Sequence, residues 1–112
     1  MKVYISGKIG EEVLSETTRN KFAKAETMLR DWGLDVFNPT TSGLGHRAEE
    51  LAMENGTDFY TEIMKLDMEA LRGCDVIYLL LDWEDSPGAK VEKAEAERLG
   101  LSIWYERNNP EL

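Results

Sequence analysis

Cysteine and histidine are nearly absent from this chain. A single cysteine, Cys74, excludes a disulfide within the chain and any cysteine-based metal site. The single histidine, His46, lies in a polar stretch, and with so few such residues there is no basis for metal catalysis or a Cys–His nucleophile. We therefore expect no metal and no cofactor. Because Cys74 directly precedes an apolar segment, we expect a buried, reduced thiol and a cytoplasmic protein.

Positive charge is also scarce, and long apolar runs are missing. The 112 residues include 13 Lys and Arg against 22 Asp and Glu, a net charge of −9, and the basic residues are dispersed. A nucleic-acid polymer is thus not expected as a partner, since affinity for it comes mainly from neutralised phosphates. No segment approaches the roughly 20 apolar residues of a membrane span, and Met1–Tyr4 begins a strand, not a secretory signal. We expect one globular domain, residues 1–112, whose partner is a small molecule or another protein.

Strand and helix patterns alternate along the chain. Strands are predicted at residues 3–6, 34–37, 75–81 and 101–105. Helices are predicted around Phe22, Ala25, Leu29 and Trp32, which share helical spacing before Gly33, and at residues 58–71 and 87–99. Residues 47–55 can form a helical turn or two, interrupted at Gly56. Residues 38–46 are the candidate linker. With right-handed crossovers, this alternation predicts an α/β fold, a flavodoxin-like doubly wound parallel sheet of four to five strands in the order 2-1-3-4.

The expected strand order also predicts where a ligand binds. Its switch point lies between strands 1 and 3, and ligands bind such sheets at the carboxyl ends of the flanking strands. Here these ends are Ser6–Gly10 and Asp82–Glu92. The first is a glycine-bearing loop that can bring backbone amides close to a ligand, although it is neither G-x-G-x-x-G nor a P-loop. The second is an acidic loop followed by a helix start, with Ser86 as the cap and Pro87 at the first position.

Glu92 is a carboxylate on the expected inner face of the last helix. Gly88, Glu92, Ala96 and Leu99 share one side of the helical wheel, so Glu92 has small and apolar neighbours. The positive end of the helix dipole favours its ionised form. An ionised, partly desolvated glutamate suits nucleophilic attack or the stabilisation of a cation. The alternative is a solvated glutamate in a helix rich in Glu and Lys.

Asp67 is a second carboxylate in an apolar context. Tyr60, Ile63, Met64 and Leu71 form a helical stripe, and Asp67 falls in its middle, where a lone charge is costly unless it is paired or borders a cavity. The alternative is a local break, with Asp67 capping a short final helix. An Asp and a Glu that face one pocket can divide the roles of acid and nucleophile. In glycosyl chemistry this pairing fits a retaining mechanism with a covalent sugar–enzyme intermediate.

The sequence leaves open the roles of two aromatic residues near the expected site. Tyr4, in the first strand, either lines the pocket or fills a core position. Trp83, in the acidic loop, either stacks on a planar base or packs in the core.

Three segments together resemble the nucleoside 2-deoxyribosyltransferase superfamily, which includes the 2′-deoxynucleoside 5′-monophosphate N-glycosidases. Val3–Ile9 is similar to the family's tyrosine- and glycine-bearing first strand and loop. Asp67–Ile77 resembles its active-site Asp, followed eight positions later by a second Asp and the central strand. Ser86–Ala96 looks like its Gly-x-x-x-Glu-x-x-x-Ala helix start. The chain is most similar to a small branch of the superfamily found in phage and bacterial genomes.

The resemblance implies a chemical role for each of these segments. Glu92 would be the nucleophile on the anomeric carbon of deoxyribose, Asp67 the active-site aspartate, and Ser86 a contact to sugar or phosphate. The implied reaction is cleavage or transfer at the N-glycosidic bond of a 2′-deoxynucleoside or its 5′-monophosphate, through a covalent deoxyribosyl–Glu92 intermediate. The alternative is a noncatalytic nucleotide-binding or sensing module of the same fold.

The resemblance also implies a homodimer or higher homo-oligomer, and it predicts which residues bind the substrate. Gly10 stands where the monophosphate hydrolases carry an arginine, so that Lys8 is the nearest cation. The expected substrate-binding residues are Tyr4, Ser6, Gly7, Lys8, Ile9, Gly10, Trp83, Ser86 and Gly88.

Overall fold

The chain folds into alternating strands and helices in a computed structural model that describes residues 1–9 and 15–107. In chain order the elements are β1 (Lys2–Ser6), α1 (Glu16–Asp31), β2 (Asp35–Phe37), α2 (Leu44–Asn55), α3 (Phe59–Arg72), β3 (Val76–Leu79), α4 (Pro87–Leu99) and β4 (Ser102–Tyr105). A short 3-10 turn at Trp83–Asp85 precedes α4.

The four strands form one parallel sheet in the order β2-β1-β3-β4, which confirms the predicted fold class and strand order. Tyr4 of β1 pairs with Phe37 of β2 on one side and with Ile77 of β3 on the other. All four residues of β3 are buried, as a central strand covered on both faces requires. The switch point of the doubly wound sheet therefore lies between β1 and β3.

Alternate strand residues supply two hydrophobic layers, one on each face of the sheet. Val3 and Ile5 of β1 pack with Phe22 of α1 on the first face. Tyr4 packs on the opposite face with residues of α3 and α4, including Leu71. The helices that carry Asp67 and Glu92 thus cover the same face of the sheet as Tyr4, and α2 packs on α3.

Two element boundaries differ from their predictions by more than one residue. The second helix begins at Leu44 and runs for 12 residues, so the candidate linker at 38–46 is shorter than predicted. Gly43, with φ of 78°, turns the chain into this helix, a conformation that glycine adopts without the strain of a side chain. The central strand ends at Leu79, because Leu81 is already exposed on the way to the 3-10 turn.

Three residues of the predicted apolar helix faces are exposed instead, namely Trp32, Tyr60 and Leu99. Trp32 follows the last residue of α1 as its C-cap and is 62% exposed, since the chain turns away at Gly33, where φ is 83°. Leu99 is the last residue of α4 and lies beyond the buried stripe of Ala89, Glu92 and Ala96. Across residues 1–9 and 15–107, no helix is both long and apolar enough to cross a membrane.

Candidate active site

A cavity of about 830 Å³ opens at the carboxyl end of the sheet. Its lining residues come from the loops after β1 and β2, from the starts of α2 and α4, and from α3. Its lining includes both carboxylates singled out in the sequence, Asp67 and Glu92. The volume lies within the range of small-molecule sites in proteins.

Glu92 lies at the inner end of this cavity and is only 6% exposed. It occupies the second turn of α4, which begins where the Ser86 side chain accepts a hydrogen bond from the N–H of Ala89 (3.1 Å) and Pro87 holds the first helical position. The neighbouring residues on the buried side of the helix, Ala89 and Ala96, are small. They allow the helix to approach the sheet closely enough for the Glu92 carboxylate to meet β1.

Two hydroxyl groups of β1 hold the Glu92 carboxylate. Tyr4 Oη donates to Oε2 at 2.5 Å and Ser6 Oγ donates to Oε1 at 2.6 Å. Residues two apart on a strand point to the same face, and this spacing supplies both donors from one strand. The Tyr4 ring is fully buried and stacked on Phe37, with ring centroids 5.1 Å apart, which fixes the direction of its hydroxyl.

Tyr4 and Ser6 were expected to bind substrate, but they are not among the residues that line the cavity. Each contacts Glu92 instead, and of the two interpretations left open for Tyr4 the structure favours the core position. Burial, together with the nearby charges of Glu92 and Asp67, raises the pKa of the Tyr4 phenol well above its usual value. Tyr4 is therefore a permanent hydrogen-bond donor to Glu92.

Asp67 lies in the interior of the continuous helix α3, which rules out the local break considered from the sequence. Its side chain is 6% exposed and lines the cavity, and its Oδ1 atom has no hydrogen-bond partner within the described part of the chain. Burial, and next the charge of Glu92, raise its pKa to about 8. Asp67 is therefore largely protonated at neutral pH.

The two carboxyl groups have different surroundings. Burial raises the pKa of Glu92 too, but the hydrogen bonds from Ser6 and Tyr4 oppose that shift. No donor supports the charged form of Asp67 among the residues described. When one carboxyl group of the pair carries a proton, Asp67 is the one that holds it. This division of acid and anion is the pattern expected of a general acid beside a nucleophile.

The loop after β1 forms a wall of the cavity, as predicted. Gly7, Lys8 and Ile9 all line it, whereas Gly10 lies outside the described residues. A Cβ atom on Gly7 would lie 2.8 Å from Cδ1 and 2.9 Å from Cβ of Leu80, so glycine is required for this close approach between the ends of β1 and β3. Ser86 and Gly88, at the start of α4, line the same cavity.

Trp83 is placed differently from the other expected binding residues. It is not among the lining residues and packs with the core on the Tyr4 face of the sheet. Its ring contacts Tyr105, with centroids 6.0 Å apart, and the Lys93 ammonium lies 5.4 Å from its centroid. Of the two roles left open by the sequence, the structure favours packing.

Several cavity residues were not identified from the sequence as site residues. His46 lines the cavity near the start of α2, together with Pro39 and Thr40 after β2. Tyr60 and Ile63, interpreted as an apolar stripe of α3, line the cavity as well, and Tyr60 is 56% exposed. The strand order could have identified the residues after β2, because the loop after β2 begins at the same edge of the sheet as the loops after β1 and β3. No group of three or more potential metal ligands occurs in residues 1–9 and 15–107.

This sequence matches a protein-family model. The family model DUF4406, described as a domain of unknown function, covers residues 1–105. None of the proteins with curated descriptions matches it. Because the family model spans almost the entire sequence, this chain belongs to the DUF4406 family.

Proposed function

We propose that this protein cleaves or transfers at the N-glycosidic bond of a 2′-deoxynucleoside or its 5′-monophosphate, through a covalent deoxyribosyl–Glu92 intermediate. The main support for the proposal is that the carboxyl groups of Glu92 and Asp67 line the same cavity. Glu92 is held by two hydroxyl donors, and Asp67 has a pKa of about 8. The sequence resemblance to the deoxyribosyltransferases supplies the substrate class.

In the first step, a carboxylate oxygen of Glu92 attacks C1′ of the deoxyribose as the bond from C1′ to the base nitrogen breaks. Asp67 gives its proton to the departing base, which leaves as a neutral molecule, and becomes a carboxylate. The Tyr4 and Ser6 hydroxyls orient the attacking carboxylate. The product of this step is a deoxyribosyl ester of Glu92.

In the second step, water or the N–H of another base attacks C1′ from the opposite side. The Asp67 carboxylate takes the proton from this nucleophile, and the bond from C1′ to Glu92 breaks. Two successive inversions give net retention at C1′. Hydrolysis and transfer differ only in which molecule intercepts the ester.

The cavity walls supply groups for the remaining parts of such a substrate. Lys8, the backbone of Gly7 and Ile9, and the Ser86 side chain would hold the sugar or a 5′-phosphate. Phe59, Tyr60 and Ile63 form an apolar wall suited to a planar base. The homodimer or higher oligomer implied by the resemblance stays a prediction.

The direct test is release of the free base from a panel of deoxynucleosides and their 5′-monophosphates, followed by chromatography. We expect activity in the wild type and a loss of about a thousandfold or more in Glu92→Gln. Glu97→Gln is the matched control, because Glu97 lies on the exposed side of the same helix, in an ion pair with Lys93. Equal activity of Glu92→Gln and wild type would contradict the proposal.

A second test detects the covalent intermediate. Added methanol should intercept the ester and yield a methyl deoxyriboside that retains the configuration of the substrate. An inverted product would exclude an ester on Glu92. If the substrates bind in calorimetry and yet remain intact with the wild type, the noncatalytic nucleotide-binding module becomes the better description.

A further inference from the structure

Lys21 of α1 makes two contacts next to the cavity without lining it. Its Nζ atom donates to the backbone carbonyl oxygen of Lys8 at 2.5 Å and also binds the carboxylate of Asp82. Lys21 and Asp82 are both about 30% exposed at their side chains (29% and 31%), so the pair is partly shielded from water. Such pairs are screened less than ion pairs on the open surface.

Asp82 binds the other backbone polar group of Lys8. Its Oδ1 atom accepts a hydrogen bond from the backbone N–H of Lys8 at 3.0 Å. Both backbone polar groups of Lys8 are therefore bound by one ion pair, the amide by Asp82 and the carbonyl by Lys21. Burial raises the pKa of Asp82, but its hydrogen bonds with Lys21 and Lys8 hold that pKa below the usual value.

The ion pair joins the two loops that flank the switch point of the sheet. Asp82 follows β3 and directly precedes the 3-10 turn that leads to Ser86, whereas Lys8 belongs to the loop after β1. That loop has no regular secondary structure of its own from Gly7 to Ile9. Lys8 is exposed, whereas Gly7 is buried and lies close to Leu80.

We propose that Lys21 and Asp82 are positioning residues, which fix the loop Gly7–Ile9 against the cavity and thereby set the affinity for substrate. The link to substrate rests on the proposed function. The role of Lys21 and Asp82 in fixing the loop does not rest on the proposed function, because it follows from their contacts with Lys8 alone. Neither residue takes part in the chemistry, so their loss should raise KM and leave kcat nearly unchanged.

The primary test is amide hydrogen exchange in the ligand-free protein, followed by NMR. In Lys21→Met and Asp82→Ala, we expect the Lys8 amide to exchange about tenfold faster or more. Core amides of β3, such as that of Ile77, should keep their protection, which separates loop release from general destabilisation. Lys24→Met, an exposed position on the same helix, is the control, and Lys21→Arg should restore slow exchange. Unchanged exchange of the Lys8 amide in Lys21→Met overturns the proposal.

Affinity is the second measurement, by calorimetry with 2′-deoxynucleoside 5′-monophosphates on a Glu92→Gln background that prevents turnover. We expect Lys21→Met to bind about tenfold more weakly and Lys24→Met to bind within about twofold of the parent. Faster loop exchange with unchanged affinity overturns the role in substrate binding. If the parent protein binds none of the monophosphates or their nucleosides, the proposed function fails, and the exchange experiment still decides whether the ion pair fixes the loop.

Discussion

At the scale of single residues, the site depends on two carboxyl groups that the fold surrounds differently. Glu92 receives two hydroxyl hydrogen bonds, and Asp67 keeps one oxygen atom without a partner among the described residues. A carboxylate stripped of water needs donors, whereas a protonated carboxyl group tolerates their absence better. The contrast assigns the negative charge to Glu92 and the proton to Asp67.

The pKa of Asp67 leads to a prediction about the pH dependence of catalysis. As the pH rises through about 8, Asp67 loses the proton that the departing base requires. The value of kcat/KM should therefore fall about tenfold per pH unit above that point. Asp67→Asn should remove this dependence and lower the plateau by about 10²–10⁴-fold. Initial rates of base release between pH 6 and pH 10 measure the alkaline fall and the height of the plateau. The same alkaline fall in Asp67→Asn would contradict the role of Asp67 as the acid.

Asp67 should also make folding stability depend on pH. Its pKa is about 8 in the folded protein and near 3.8 in an unfolded chain, so in between the folded state binds more protons. Stability is then fully present at low pH and decreases as the pH rises toward 8. From pH 5 to pH 8 the free energy of unfolding should fall by up to about 4 kcal/mol. Urea titrations at several pH values measure this, and Asp67→Asn should flatten the curve. Parallel curves for the two proteins would contradict the raised pKa.

At the scale of elements, Ser86 has two roles at the start of α4, because its side chain caps the helix and also lines the cavity. Ser86→Ala removes the N-cap and should cost about 1 kcal/mol of stability. Ser86→Asp keeps a capping oxygen but places a negative charge beside the cavity. It should therefore keep wild-type stability and weaken binding of a deoxynucleoside monophosphate about tenfold or more, with little effect on the nucleoside. Thermal unfolding and calorimetry separate the two roles, and an equal loss for both ligands would place the phosphate elsewhere.

The contact between the ends of β1 and β3 gives another prediction. In Gly7→Ala, the added methyl group would meet Leu80 at less than 3 Å, so the two strand ends must separate. We expect a loss of about 1–3 kcal/mol in the free energy of unfolding. Gly45→Ala is the control, because a Cβ atom there meets no other atom within 4 Å, and helix propensity should raise stability by up to about 1 kcal/mol. Similar stabilities of the two variants would contradict the steric argument.

Sequence patterns predicted most of the helices and strands, and they singled out Asp67 and Glu92 as unusual carboxylates. Both results have a physical reason. The strand order follows from a buried central strand and right-handed crossovers, and Asp67 and Glu92 stand out because each interrupts an otherwise apolar or small helix face. Helical spacing shows which residues share a face, but not whether that face meets another element or a cavity. Tyr60 and Ile63 were therefore interpreted only as part of an apolar stripe and His46 only as part of a polar stretch, and all three line the cavity.

At the scale of the whole molecule, the net charge of −9 should oppose the approach of an anionic substrate. Raising the ionic strength from about 0.01 M to about 0.1 M shortens the Debye length from roughly 30 Å to roughly 10 Å. We expect kcat/KM for a monophosphate to rise severalfold over this range, while the value for the neutral nucleoside, which serves as control, stays constant. A fall for the monophosphate would mean that the attraction of Lys8 outweighs the field of the molecule.

The hydrogen bonds of Glu92 also have a consequence for the order in which the chain folds. They link Glu92 to Tyr4 and Ser6, which lie 88 and 86 residues away in the sequence, so Glu92 gains its donors only after β1 has docked beside β3 and α4 has packed over both. In a partly folded intermediate without that strand, the carboxylate would be buried unsatisfied or turned toward water. Glu92 therefore acquires both hydrogen bonds only after β1, β3 and α4 have come together, and under the proposed function catalytic activity would report on correct folding from Tyr4 to Glu92.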